Sequence, residues 1–147
     1  MANNYCQWSE LIEELTDEEM NWFHSCLTWE PPYNDDHELP AGFVFPFWYD
    51  PDAGGVNFDY DLNRKERTLH VYAEEDGNLD TLSALVQEFI KKFRPDFIFC
   101  VSWADTCSKM RVGVFGGGAM VVSREGEKHI TTSSFIRNTV AKIKEER

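Results

Sequence analysis

Leu79-Asp-Thr-Leu-Ser-Ala-Leu-Val-Gln-Glu-Phe-Ile-Lys-Lys-Phe-Arg-Pro-Asp-Phe-Ile-Phe-Cys-Val-Ser-Trp103 is the stretch whose reading decides the fold. Leu82, Leu85, Val86, Phe89, Ile90 and Phe93 recur at i, i+3, i+4, i+7, i+8 and i+11, a full apolar stripe on one face of a helix. Asn78 or Asp80 can cap its start, and Lys91, Lys92 and Arg94 suit the negative end of its dipole. Pro95 stops it, because proline lacks the N–H and clashes with the preceding turn. The period then changes. Phe97 to Trp103 is apolar on both faces, which predicts a central strand covered on both sides. A helix delivered straight onto such a strand predicts a sheet with helices packed on it.

Upstream, Val56 to Asp61 and Thr68 to Tyr72 alternate as the two arms of a hairpin. Pairing Tyr60 with Leu69 and Phe58 with Val71 keeps the apolar faces together and sets Asp59 opposite His70. Phe43 to Tyr49 has the β-propensity of another strand, and Pro46 pushes it to an edge or a bulge. Residues 30–41, rich in proline and Asx, read as an exposed loop. Thr16-Asp17-Glu18-Glu19 has the pattern of a capping box and predicts a helix over 17–28, with Met20, Phe23 and Leu27 inward. Trp8 to Leu15 reads as a further helical turn or two. Downstream, Arg111 to Phe115 and Ala119 to Ser123 read as strands broken by Gly116-Gly117-Gly118. A short strand follows at 128–131. A last helix over 134–145 carries Phe135, Ile136, Val140 and Ile143. The predicted order is α-βββ-α-βββ-α: one α+β domain over 1–147, with an antiparallel or mixed sheet of about five to six strands.

With 42% hydrophobic and 14% aromatic residues, the 147-residue chain can bury a core without staples. Phe43 to Tyr49, its longest apolar run, falls far short of the roughly 20 residues a membrane helix needs. The N-terminus lacks the basic start and apolar stretch of a signal peptide, so the expected location is cytoplasmic. Cys6, Cys26, Cys100 and Cys107 have no CxxC spacing, the four histidines are scattered, and neither a metal nor a cofactor is implied.

The charge is divided. Residues 1–63 hold 14 acids and neither lysine nor arginine, whereas residues 81–147 hold 7 acids and 11 bases. Phosphate would be repelled by the first half, which disfavours direct nucleic-acid binding there and points to a basic protein partner. Candidate contacts are Glu13, Glu14, Asp17, Glu18, Asp35, Asp36, Glu38, Asp50 and Asp52. Trp22, Trp29, Tyr33 and Trp48 could serve as aromatic anchors or as core.

A second candidate is the segment Ala104 to Gly118, which holds Asp105, Cys107, Lys109, Arg111, Gly116, Gly117 and Gly118. Glycine amides can cradle an anion, and Lys109 and Arg111 would add charge. No phosphate-loop pattern is present, and a glycine triplet among strands also suits a bulge or a crowded crossing. Cys107 could act as a nucleophile if Lys109 or Arg111 lowered its pKa and His70 came near. Glu74-Glu75-Asp76 could hold a divalent cation or form a solvated turn.

The stretches Tyr72-Ala73-Glu74-Glu75, Phe93-Arg94-Pro95-Asp96, Thr106-Cys107-Ser108-Lys109 and Phe115-Gly116-Gly117-Gly118-Ala119 resemble a family of small bacterial and phage-borne proteins, over roughly residues 5–123. The family has no assigned activity, so the resemblance implies a microbial or mobile-element origin and carries over no catalytic residue. The sequence reading is a non-enzymatic interaction module. By analogy of charge with DNA-mimicking inhibitors of host defence, its acidic face would engage a basic nucleic-acid-binding protein. The alternatives are a small-ligand enzyme or sensor using the Asp105–Gly118 segment, and a housekeeping subunit.

Overall fold

The computed structural model describes residues 3–147. The elements are β1 (Asn4–Ile12), α1 (Asp17–Leu27), β2 (Asp59–Asn63), β3 (Thr68–Ala73), α2 (Leu79–Phe93), β4 (Phe99–Cys107), β5 (Gly116–Ser123), β6 (Gly126–Thr131) and α3 (Thr132–Glu145). All six strands join one antiparallel sheet in the order β2-β3-β1-β4-β5-β6, and the fold is α+β as the sequence predicts. No helix among the described residues is long and apolar enough to cross a membrane.

The two best-signalled helices form as expected. Asn78 caps α2 by accepting from the amides of Asp80 and Thr81, and Leu82, Leu85, Val86, Phe89 and Ile90 are buried against the sheet. Each such side chain contributes roughly 1.5–3 kcal/mol relative to exposure. In α1 the Thr16 and Glu19 side chains satisfy each other's backbone amides, and Met20, Phe23 and Leu27 point inward. From the sheet, Trp8, Ile12, Leu69, Val71, Phe99, Val101, Met120 and Val122 meet these helices.

Five expectations give way. Trp8 to Leu15 is mostly strand, not helix: Trp8 and Ile12 are buried while Gln7, Ser9 and Leu11 face out, a period of two that places β1 between β3 and β4. Phe43 to Tyr49 is irregular. Its rings close a local cluster in which Phe45 stacks on Tyr49 with centroids 5.2 Å apart, and Trp29 meets Tyr49 at 4.9 Å. Aromatic packing takes those side chains, and Pro46 could not join a ladder.

The hairpin is real, but its register is offset by two. Asp59 faces Tyr72, Tyr60 faces Val71, and His70 faces Asp61. The faces survive because an offset of two preserves parity. The turn sets the offset: Asn63 Oδ1 accepts from Glu66 N, and Arg67 takes a left-handed φ of 59°. Arg111 to Phe115 is loop, with Gly113 at φ 81°. The glycine triplet opens β5 instead of separating two strands.

The sheet is covered on one face only. β4 buries Phe99 and Val101, but Cys100, Ser102 and Ala104 are exposed on its other side. The two-sided cover expected for this strand is therefore absent, although β4 does lie centrally. Helix α3 follows β6 directly and buries none of its residues.

Candidate functional site

The acidic residues of the first half divide into two groups. Glu13, Glu14, Asp17 and Glu18 surround the turn from β1 into α1. Bases from later in the chain reach this end. Arg67 Nη1 pairs with Asp17 Oδ1 at 3.0 Å. Arg94 bonds Glu19 Oε2 at 2.8 Å through Nε and Oε1 at 3.1 Å through Nη2, while the latter nitrogen also donates to the carbonyls of Glu13 and Glu14. Its guanidinium lies over the rings of Phe89 and Phe97. Burial alone would raise the Glu19 carboxyl, but the bonds from Arg94 and Thr16 outweigh it and hold the carboxyl below its usual range. Of the four candidate acids at this end only Asp17 is paired; Glu13, Glu14 and Glu18 are exposed and join no ion pair among the described residues.

Asp35, Asp36, Glu38, Asp50 and Asp52 occupy the long connection between α1 and β2, reached from the other end of α1. The connection is built locally. Asn34 Oδ1 accepts from the amides of Asp36 and Glu38, and the Asn34 amide bonds the Glu38 carbonyl. Asp50 is half-buried and structural: Oδ1 accepts from Asp52 N and Oδ2 from Asn57 Nδ2. The other four carboxylates are exposed, and none joins an ion pair among the described residues. Tyr33, Val44 and Phe47 are exposed on the same connection, the last two by more than 80%. Of the other proposed anchors, Trp22 packs on Phe23, Phe93 and Trp48, and Trp29 joins the local cluster. Tyr33 is the anchor left exposed.

The Asp105–Gly118 segment does not close into a site. Asp105 and Cys107 are half-buried on β4, whereas Lys109 and Arg111 stand exposed in the following loop. The two clefts at this end, of about 460 and 480 Å³, include Asp105 but not Cys107, Lys109 or Arg111. His70 bonds Ser9 on β1, and β1 separates its strand from β4. The nearby thiol with a perturbed pKa is Cys6, pushed up to about 11 by burial and by Asp105. That disfavours a thiolate.

The glycines pair with β4: Gly116 with Asp105, Gly117 with Ala104 and Gly118 with Trp103. A Cβ on Gly117 would strike the Trp103 carbonyl. One on Gly118 would strike the Trp103 ring and lie 2.5 Å from the Ile130 carbonyl oxygen. The triplet admits a tryptophan and a neighbouring strand, which is the crowded-crossing reading. Glu74, Glu75 and Asp76 are exposed in the β3–α2 turn, and no set of metal-ligating side chains gathers among the described residues.

One grouping escapes sequence reasoning. On the open face, Ser9 Oγ lies 2.7 Å from His70 Nε2, and the imidazole stacks on Tyr72 at 4.5 Å. Asp61 faces His70 across β2 and β3. Gln7 and Glu74 complete a shallow depression of about 870 Å³. A serine beside a histidine suggests acyl transfer, but that chemistry also needs donors aimed at an oxyanion. Here the surrounding strands are paired on both sides of β1 and β3, so their amides serve the ladders. The cluster can bind hydrogen-bonding groups. Ser9 lies 61 residues from His70, and no local pattern links them.

Comparison with protein-family models, curated proteins and solved structures returns no match for this chain.

Proposed function

We propose that this chain is a non-enzymatic interaction module whose connection between α1 and β2, residues 30–58, engages a basic surface on a nucleic-acid-binding protein. One observation carries the reading: Asp35, Asp36, Glu38 and Asp52 stand exposed without ion-pair partners among the described residues, on the same connection as exposed Tyr33, Val44 and Phe47. Carboxylates steer a basic partner and set register; apolar and aromatic side chains supply area that excludes water. A site evolved to grip phosphate meets a comparable negative field here. A phage or mobile-element inhibitor of a defence complex is the biological setting this chemistry suits. The Glu13–Glu18 group ranks second in this reading, because Arg67 pairs with Asp17 there, although Glu13, Glu14 and Glu18 join no ion pair among the described residues.

The test is competition. A basic DNA-binding protein is loaded with fluorescent duplex, and this chain is titrated in while anisotropy is followed. The wild type should release the duplex. Asp35→Lys, Asp36→Lys and Glu38→Lys together should abolish release, whereas reversing Glu13, Glu14 and Glu18 should weaken it slightly. Equal loss from both sets would reject the connection as the contact.

A further inference from the structure

We infer that, in the free protein, the basic surface met by residues 30–58 is helix α3 of a second copy, so that the chain self-associates by placing α3 on its partner's acidic connection. This rests on the reading of residues 30–58 above and identifies an occupant for the same surface.

Helix α3 is held to its own chain mainly at its start, where Thr132 Oγ1 donates to the Gly117 carbonyl, and it is only lightly packed beyond that among the described residues. Its 14 residues include none that is buried, and Phe135, Ile136, Val140 and Ile143 are 57, 55, 44 and 45% exposed. Ile136, Val140 and Ile143 fall at i, i+4 and i+7, one apolar stripe, with Phe135 at its margin. Thr131 and Ser134 cap the start reciprocally. Even so, a helix this short is marginal in water without tertiary packing.

Surface area points the same way. The chain exposes 9977 Å², whereas a compact monomer of 17.1 kDa exposes about 7,750 Å². The excess of roughly 2,200 Å² surpasses the roughly 800 Å² each partner gives to a standard interface.

Charge selects the occupant. Arg137, Lys142, Lys144 and Arg147 outnumber Glu145 and Glu146, and none of the four bases forms an ion pair among the described residues. Packing α3 antiparallel on its own symmetry mate would bring like flanks together, with Arg137 of one helix beside Lys144 of the other, and repulsion opposes that. Residues 30–58 offer the complement: Asp35, Asp36, Glu38 and Asp52 for the bases, Val44, Phe47 and Tyr33 for the stripe. Each copy supplies one helix and one acceptor, so a two-fold axis closes the assembly with both contacts made.

Light scattering on the full chain tests this. The wild type should show twice the 17.1 kDa chain mass. Ile136→Asp with Val140→Asp should return it to single-chain mass with unchanged circular dichroism, since both positions are exposed. Asp35→Lys, Asp36→Lys and Glu38→Lys should do the same. Adding Arg137→Glu, Lys142→Glu and Lys144→Glu to that loop variant should restore the doubled mass. A wild type of single-chain mass up to about 1 mM, where even a millimolar Kd would register, overturns the inference. So does a loop variant that stays dimeric, or a charge swap that fails to restore association. Oligolysine titration of the Ile136→Asp, Val140→Asp variant separates the two readings. If it binds oligolysine while the wild type is single-chain, self-association falls and the acidic connection stands. If the wild type is single-chain and oligolysine does not bind, both fall.

Discussion

Replacing Arg94 with leucine should destabilise the fold by about 3 kcal/mol at neutral pH. Arg94 is 24% exposed at its side chain, and its partner Glu19 is 4% exposed. Removing the guanidinium breaks two bonds to that carboxylate and two to the Glu13 and Glu14 carbonyls, leaving a buried charge with only the Thr16 bond to compensate it. Breaking a buried pair from one side costs about 3–5 kcal/mol, and partial exposure of Arg94 places this case at the lower end. For a chain of this size the melting temperature should fall by roughly 10 °C. The pH dependence gives the sharper signature. Glu19 has a lowered pKa in the folded protein, so its contribution is complete above the unfolded value near ~4.3 and is lost as pH falls through the folded value. Without Arg94 only the Thr16 bonds still favour the charged carboxyl against burial, so charging it favours folding less. The stability gap between wild type and Arg94→Leu should therefore narrow from pH 7 to pH 3 in urea unfolding. A gap below about 1 kcal/mol at pH 7, or one that does not change with pH, would refute the assignment.

Three further outcomes follow from the geometry. Gly118→Val should cost about 1–3 kcal/mol by overpacking against the Trp103 ring and the Ile130 carbonyl, read as a shift in the urea midpoint at constant slope. Thr81→Val should cost about 1–3 kcal/mol, because the buried Thr81 hydroxyl donates to the Val56 carbonyl at 2.5 Å and nothing else would replace it. Iodoacetamide at pH 8 should modify exposed Cys100 well before Cys6, whose thiol is pushed up to about 11, with peptide mass spectrometry reporting the order.

What was legible in the sequence was what local chemistry decides. The capping box at Thr16 and the stripe from Leu82 to Phe93 are complete within one turn or one face, and both helices appear where those signals place them. Parity was legible in the hairpin, because Tyr60 and Val71 must share a face; the offset was not, because it depends on Arg67 adopting a left-handed turn. Phe43 to Tyr49 misled because aromatic residues favour strands and local aromatic clusters alike. Trp8 to Leu15 misled because Leu11 and Ile12 are adjacent apolar residues, which masks the alternation that β1 obeys. At the candidate site, absence of bases from residues 1–63 was visible, but their arrival from elsewhere was not. Arg94 lies 75 residues from Glu19, and only the fold brings them together. The exposure of Val44, Phe47 and the whole of α3 was likewise hidden, since an apolar stripe in sequence reads as core until nothing covers it.

The most direct measurement of the central claim is the salt dependence of oligolysine binding to the Ile136→Asp, Val140→Asp chain, with and without Asp35→Lys, Asp36→Lys and Glu38→Lys. If exposed carboxylates on residues 30–58 form the contact, affinity should fall steeply between about 50 and 200 mM salt, as screening shortens to roughly 10 Å and below. Reversing the three acids should remove most of the binding and flatten the remaining slope. Affinity that is unchanged across this range, or unaffected by the three reversals, would contradict the claim that these carboxylates recognise a basic partner.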